Sequence, residues 1–251
     1  MSLSFLFRTV IFLTLPGVAI AASLDGSAMS CSSRPQTAAG LRPDLLYGNQ
    51  VSYDIRRNGD LIGHQETRFS TENGILRVVN EGRLKVKVLF VTAYSYSFDS
   101  VSLWCGETMT SFEAHVNDNG KKKQILASAT SAGMRVNGPE GEVLVAAPLY
   151  PTEHWNPATL KTSRILNSQS GRIDAVQVTD LGEELIAINS GSLPARHYSF
   201  RGDLDLDVWY DRAGRWVKLR FVTKKDKSVI DYICDSCAVP ETPVAGGRTA
   251  G

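Results

Sequence analysis

Four Asn-Gly pairs constrain this chain more than any other feature: Asn58-Gly59, Asn73-Gly74, Asn119-Gly120 and Asn137-Gly138. Asn-Gly is the strongest short signal for a tight hairpin, because both residues tolerate the positive φ that a type I′ turn demands. Each pair lies between short runs in which apolar and polar residues alternate, the period of a half-buried strand. No long helical periodicity interrupts these runs, and no period of about 20–50 residues repeats with matching residues. The pattern predicts an all-β fold, an antiparallel meander curved into an open or partly closed barrel. The stretch from Asn156 to Asn167 has room for one short helix, with Pro157 suited to its first position.

Residues 203–222 predict one hairpin in detail. Asp211-Arg212-Ala213-Gly214 forms a four-residue loop with Gly214 left-handed. Trp209 then faces Trp216, Asp207 faces Lys218 and Asp205 faces Arg220. Val208, Leu206 and Leu204 meet Val217, Leu219 and Phe221 on the other surface. The result is a greasy face and a charged face. Around Asn58-Gly59, Arg57 meets Asp60 and Ile55 meets Ile62, and Val51, Tyr53 and Ile55 share a face with His64 and Glu66. A long strand follows from Ile75 to Phe90. Tyr94, Tyr96 and Phe98 then alternate with serines, so three aromatics point one way.

The two ends of the chain read differently. Residues 1–21 have Arg8, an apolar run too short to span a bilayer comfortably, and Ala19-Ile20-Ala21, the order of a secretory signal. Residues 22–46 read as a flexible leader, 47–237 as a single β-domain and 238–251 as a disordered tail. The expectation is an exported protein, periplasmic or secreted. Basic and acidic residues number 27 and 26, and Arg8 lies within the signal, so the remainder is balanced. That balance gives no electrostatic reason to expect nucleic acid or an anionic membrane as partner. Lys121-Lys122-Lys123 follows a turn and reads as a solvated loop tip. Four cysteines, Cys31, Cys105, Cys234 and Cys237, allow three disulfide connectivities. Cys234 and Cys237 have redox spacing. They follow a β-like run rather than open a helix, so a structural bond or two plain thiols is the better reading.

Gly59-Asp-Leu-Ile-Gly-His64, Trp155-Asn156, and the block from Arg196-His-Tyr198 through Trp209-Tyr-Asp-Arg-Ala-Gly-Arg-Trp216-Val-Lys-Leu resemble an exported bacterial family, the domain of unknown function DUF6134. The resemblance covers roughly residues 48 to 233, and its Trp-Tyr-Asp…Gly-Arg-Trp block is unusual. It implies no activity, substrate or catalytic residue. Its style is similar to that of periplasmic proteins with an open, curved sheet, some of which carry lipid-like ligands.

No catalytic signature is present: no His-Glu-x-x-His, Gly-x-Ser-x-Gly, Ser-x-x-Lys or phosphate-cradling glycine loop. Asp203, Asp205 and Asp207 imitate half a calcium loop, but Val208 and Gly214 stand where glycine and glutamate are needed. His64, His115, His154 and His197 are dispersed, so no metal site and no cofactor is expected. The most suggestive constellation is Tyr150-Pro-Thr-Glu153-His154-Trp155-Asn156-Pro157, a stiff polar-aromatic loop. Two readings compete for it. It lines a cavity mouth, or Trp155 plugs the core while Asn156 caps the next segment. Arg196 and Tyr198 share a strand face and are placed to join it.

The leading expectation is non-catalytic binding of an apolar or amphipathic small molecule in the concave face. His154, Trp155, Asn156, Tyr94, Tyr96, Phe98, Arg196 and Tyr198 are the candidate ligand residues, with Trp155 near the entrance. One alternative is a structural or interaction module of the cell envelope. Another is a hydrolase using His154 with Glu153.

Overall fold

A computed structural model describes residues 31, 42–88, 91–235 and 237. The expected signal and tail lie outside the described residues, as does most of the expected leader. Of that leader, Cys31 and residues 42–46 are described, and 43–46 belong to a short helix, α1 (Pro43–Tyr47), opened by proline.

Among the described residues, fourteen antiparallel strands form one sheet. The first eight are β1 (Gln50–Arg57), β2 (Asp60–Glu72), β3 (Ile75–Val88), β4 (Val91–Cys105), β5 (Thr108–Asp118), β6 (Lys121–Thr130), β7 (Gly133–Gly138) and β8 (Gly141–Val145). The others are β9 (Arg164–Leu166), β10 (Ile173–Ile188), β11 (Gly191–Gly202), β12 (Leu206–Asp211), β13 (Trp216–Val222) and β14 (Val229–Cys234). Their order is β8-β7-β6-β5-β4-β3-β2-β1-β14-β13-β12-β11-β10-β9. Two meanders are therefore sewn together at β1 and β14, where Tyr53 pairs with Cys234 and Ile55 with Tyr232. The outermost strands β8 and β9 do not pair, so the curl stays open. At one point its margins nearly touch: a Cβ on Gly138 would sit 3.2 Å from the Gly171 backbone.

Turn chemistry explains most of the hairpins. Asn58, Asn73 and Asn119 have φ near 50°, each followed by a glycine at positive φ, as a type I′ turn requires. The fourth pair is displaced. Asn137 and Gly138 end β7, and the turn falls on Pro139-Glu140 because Gly138 pairs with Gly141. Proline fixes the φ that the first central position of a common turn needs, so it takes that place.

Bulges correct the detailed registers. In β12–β13, Asp207 meets Arg220, Val208 meets Leu219, Trp209 meets Lys218 and Tyr210 meets Trp216, with an irregularity between Trp209 and Tyr210. The expected Trp209–Trp216 pair does not form. Trp209 lies on the outer face, stacked on His197 (4.3 Å) and beneath the Lys218 ammonium (4.9 Å). Trp216 turns inward and stacks on Tyr53 at 4.1 Å. Gly214 does take positive φ (87°), and the Asp211 carboxylate braces the loop by accepting from the Ala213 and Arg215 amides. A second bulge between Ile55 and Arg56 pairs Ile55 with Gly63. His64 consequently faces Asp54, 3.0 Å away on the outer side, and not the buried Tyr53. An extra residue reverses the facing of everything beyond it.

Two disulfides join Cys31 to Cys105 and Cys234 to Cys237. No helix among the described residues is long and apolar enough to cross a membrane.

Candidate functional site

The link from β8 to β9 determines what fills the curl. From Leu149 to Leu160 that link runs through the interior as a strap. Pro151 bridges Leu166 in parallel, and Thr152 N–H donates to the Leu166 carbonyl at 3.0 Å. The strap therefore rises beside β9, turns at Glu153–His154 and descends again. Asn156 stops the descent: its side-chain oxygen accepts from Ala158 N–H (2.9 Å) and caps the 3-10 helix Pro157–Lys161.

Below the turn the interior is solid. Trp155 meets Trp104 edge-on at 5.2 Å and Phe69 at 5.6 Å, while Tyr47 stacks on Phe69 at 5.4 Å. The tyrosine hydroxyls here are paired, while the Asn156 side-chain nitrogen has no partner among the described residues. Tyr47 O–H donates to the Trp155 carbonyl (3.1 Å) and its oxygen accepts from Trp216 N–H (2.8 Å). Tyr53 O–H donates to the Trp216 carbonyl (3.0 Å), and Tyr210 O–H to the His154 carbonyl (2.7 Å). Trp155 thus plugs the closed end and does not stand at an entrance. Asn156 is a buried cap beside it.

Above the turn lies a cavity of about 880 Å³. Glu153 and His154 form its floor. Tyr96 and Phe98 line one wall, and Leu206, Leu219, Phe221 and Tyr232 the other. Gly82, opposite Phe98, leaves the wall recessed. Its missing Cβ would meet nothing nearer than 3.8 Å. Charged side chains gather at the mouth, in the turns after β11 and β13: Arg201, Asp203, Asp205, Lys224 and Lys227.

The floor is electrostatically unusual. Both residues are fully buried, Glu153 at 4 % and His154 at 1 % exposure. Burial pushes the Glu153 carboxyl up to about 7 from its ordinary 4.5, offset in part by Ser100, Asn80 and Trp155. Burial alone pushes the His154 imidazole down to about 3. Ser100 O–H donates to Glu153 Oε1. Among the described residues, Glu153 Oε2, both His154 ring nitrogens, the Tyr96 hydroxyl and the Ser168 hydroxyl have no partner, although all are buried and their residues line the cavity. His154 also has a left-handed backbone (φ 54°), an arrangement that costs energy in a non-glycine residue and marks sites worth testing. No hydrogen bond joins the Glu153 and His154 side chains among the described residues.

The remaining candidates lie elsewhere. Tyr94 O–H donates to Asp118 (2.8 Å), outside the lining. Arg196 is exposed and paired with Asp180 at 2.7 Å. With Tyr198 it borders a smaller cleft of about 340 Å³, which meets the strap at Pro157 and Leu160 and not at His154. Sequence reading missed Gly82, Ser168 and the β13–β14 wall. Alternation along β13 marks Leu219 and Phe221 as inward, but nothing local marks Ser168. No group of three or more His, Cys, Asp or Glu that would hold a metal occurs among the described residues.

An open, strongly curled antiparallel sheet with an internal strap defines a β-barrel-like protein. The chain is similar to a solved β-barrel-like protein of the domain of unknown function DUF1849 from Brucella abortus. The TM-score is 0.52 at 8 % identity, covering 74 % of this chain and 94 % of that one. At that identity the likeness is one of fold. Residues 53–235 match the domain of unknown function DUF6134, and the chain belongs to that family. No curated relative matches it.

Proposed function

We propose that the protein binds an amphipathic small molecule in the cavity above Glu153 and His154, without catalysing its conversion. The observation that carries this reading is the set of unpartnered buried polar atoms on Tyr96, Glu153, His154 and Ser168, all bordering one 880 Å³ space. Buried polar groups are almost always hydrogen-bonded, and each left unpaired costs about 1–3 kcal/mol. A ligand that pairs them while covering Phe98, Leu219 and Phe221 gains on both counts. The volume is that of a typical small-molecule site, about 300–1,000 Å³. The two disulfides and the secretory-type start of the sequence support a working place outside the reducing cytosol.

The test is titration with the neutral fluorescent probe N-phenyl-1-naphthylamine. The folded protein gives saturable, single-site enhancement. Gly82→Phe, whose ring fills the recess beside Phe98, abolishes it while leaving the unfolding midpoint within a few degrees. Equal enhancement in the filled variant places the probe elsewhere and removes the reading.

A further inference from the structure

The cavity has charge at its mouth and hydrogen-bonding groups without formal charge deep inside. At the mouth, Lys224 and Lys227 extend from an exposed turn, while the Arg201–Asp207 pair (2.8 Å) and the Arg220–Asp231 pair (2.7 Å) stand on the charged face of the adjoining strands. The floor has no lysine or arginine. Between floor and wall stand the two ring nitrogens of His154, Oε2 of Glu153 and the Tyr96 and Ser168 hydroxyls. A neutral imidazole supplies one donor and one acceptor, and a hydroxyl supplies both.

We propose that the cavity takes its ligand polar end first and selects an uncharged hydrogen-bonding head, a hydroxyl or a primary amide, over a carboxylate or an ammonium. This rests on the binding reading above. Entry tail first leaves every floor atom unpaired. A carboxylate head finds no cation at the floor and has the Glu153 carboxyl as its neighbour. An ammonium head forces Glu153 to ionise, which puts a charged pair into a site where burial penalises both ions more than their attraction repays. A hydroxyl or amide carries donor and acceptor together and matches the mixed floor without any charge being buried. The neutral head also replaces water directly, because it reproduces water's hydrogen bonds.

Displacement of N-phenyl-1-naphthylamine at pH 6.0, where Glu153 keeps its proton, by four compounds with one tail tests this: 1-decanol, decanamide, decanoate and decylammonium. The alcohol and the amide displace the probe at concentrations at least tenfold lower than the two ions. Tyr96→Phe with Ser168→Ala weakens the alcohol and amide at least fivefold relative to the two ions, each inhibition constant being corrected for the variant's own probe affinity. Decanoate or decylammonium competing as well as decanol overturns the head-group selection. So does indifference of the alcohol to the double variant. A probe that never binds wild-type protein defeats the binding reading itself, which separates the two failures.

Discussion

The two ends of the curl use the same materials and reach opposite results. Both have inward-facing aromatics on neighbouring strands. At the closed end, Trp104, Phe69 and Tyr53 are met by Trp155, α1 and the inward-turned Trp216, and the Tyr47 and Tyr53 hydroxyls and the Trp104 and Trp216 indoles find acceptors. At the open end, Tyr96 and Phe98 are met by no strap, and the Tyr96 hydroxyl has no partner. The difference is chain supply. Residues 146–163 reach only as far as Glu153–His154, so one half of the interior is filled from within and the other is not. A curled sheet of this width cannot fill itself with its own side chains. Where the filling stops is set by one connection.

Truncations make the sharpest test of that contrast. Trp155→Ala empties the packed end and should cost about 3–5 kcal/mol in urea unfolding, whereas Phe98→Ala, at a wall already facing space, should cost less than about 2 kcal/mol. Equal losses would mean that the two ends are packed alike. Next in size is a pH effect at the boundary. Glu153 holds its proton in the folded state up to about pH 7, so the unfolded state binds fewer protons between about 4.5 and 7. Stability from this group is therefore full below pH 4.5 and falls as pH rises through that window. Relative to Glu153→Gln, wild type should lose about 3 kcal/mol between pH 4.5 and 7.5. His154 opposes it, since its folded value near 3 means stability is lost as pH falls below 6.5. For that reason the difference between the two proteins, and not either curve alone, is the quantity to measure. The smallest effects concern single hydroxyls. Tyr47→Phe leaves the Trp216 N–H without its acceptor and should cost about 1–3 kcal/mol. Tyr96→Phe removes a hydroxyl that bonds nothing and should change stability by less than about 0.5 kcal/mol. A large Tyr96→Phe loss would reveal a partner at the open end.

The meander was legible because its signals are local. Asn58, Asn73 and Asn119 dictate their own backbone, and alternation along β4 sets Tyr96, Phe98 and Trp104 on one side. Asn156 was legible as a cap beside Pro157 for the same reason. The registers at Trp209 and Ile55 were not, because a bulge is one extra residue whose cause lies in the neighbouring strand. Gly63 shows this: a Cβ there would come within 2.1 Å of the Arg83 carbonyl oxygen, a constraint visible only once β3 is beside it. The site divides along the same line. Glu153 and His154 stood out by composition, yet their place at a floor depends on the strap's path. The opposite wall at Leu219 and Tyr232 depends on a seam between distant parts of the chain.

That seam has a kinetic consequence. Hairpins such as β2–β3 or β10–β11 close over short loops and can form early, each meander zipping from its own turns. The β1–β14 ladder joins Tyr53 to Cys234 and must wait until both meanders exist and meet. Tyr232, one wall of the cavity, lies in that last strand. The closed end's Trp104–Trp155 contact includes no residue of β14 and can form before that strand docks. The cavity cannot, so it is complete only at the final step of assembly.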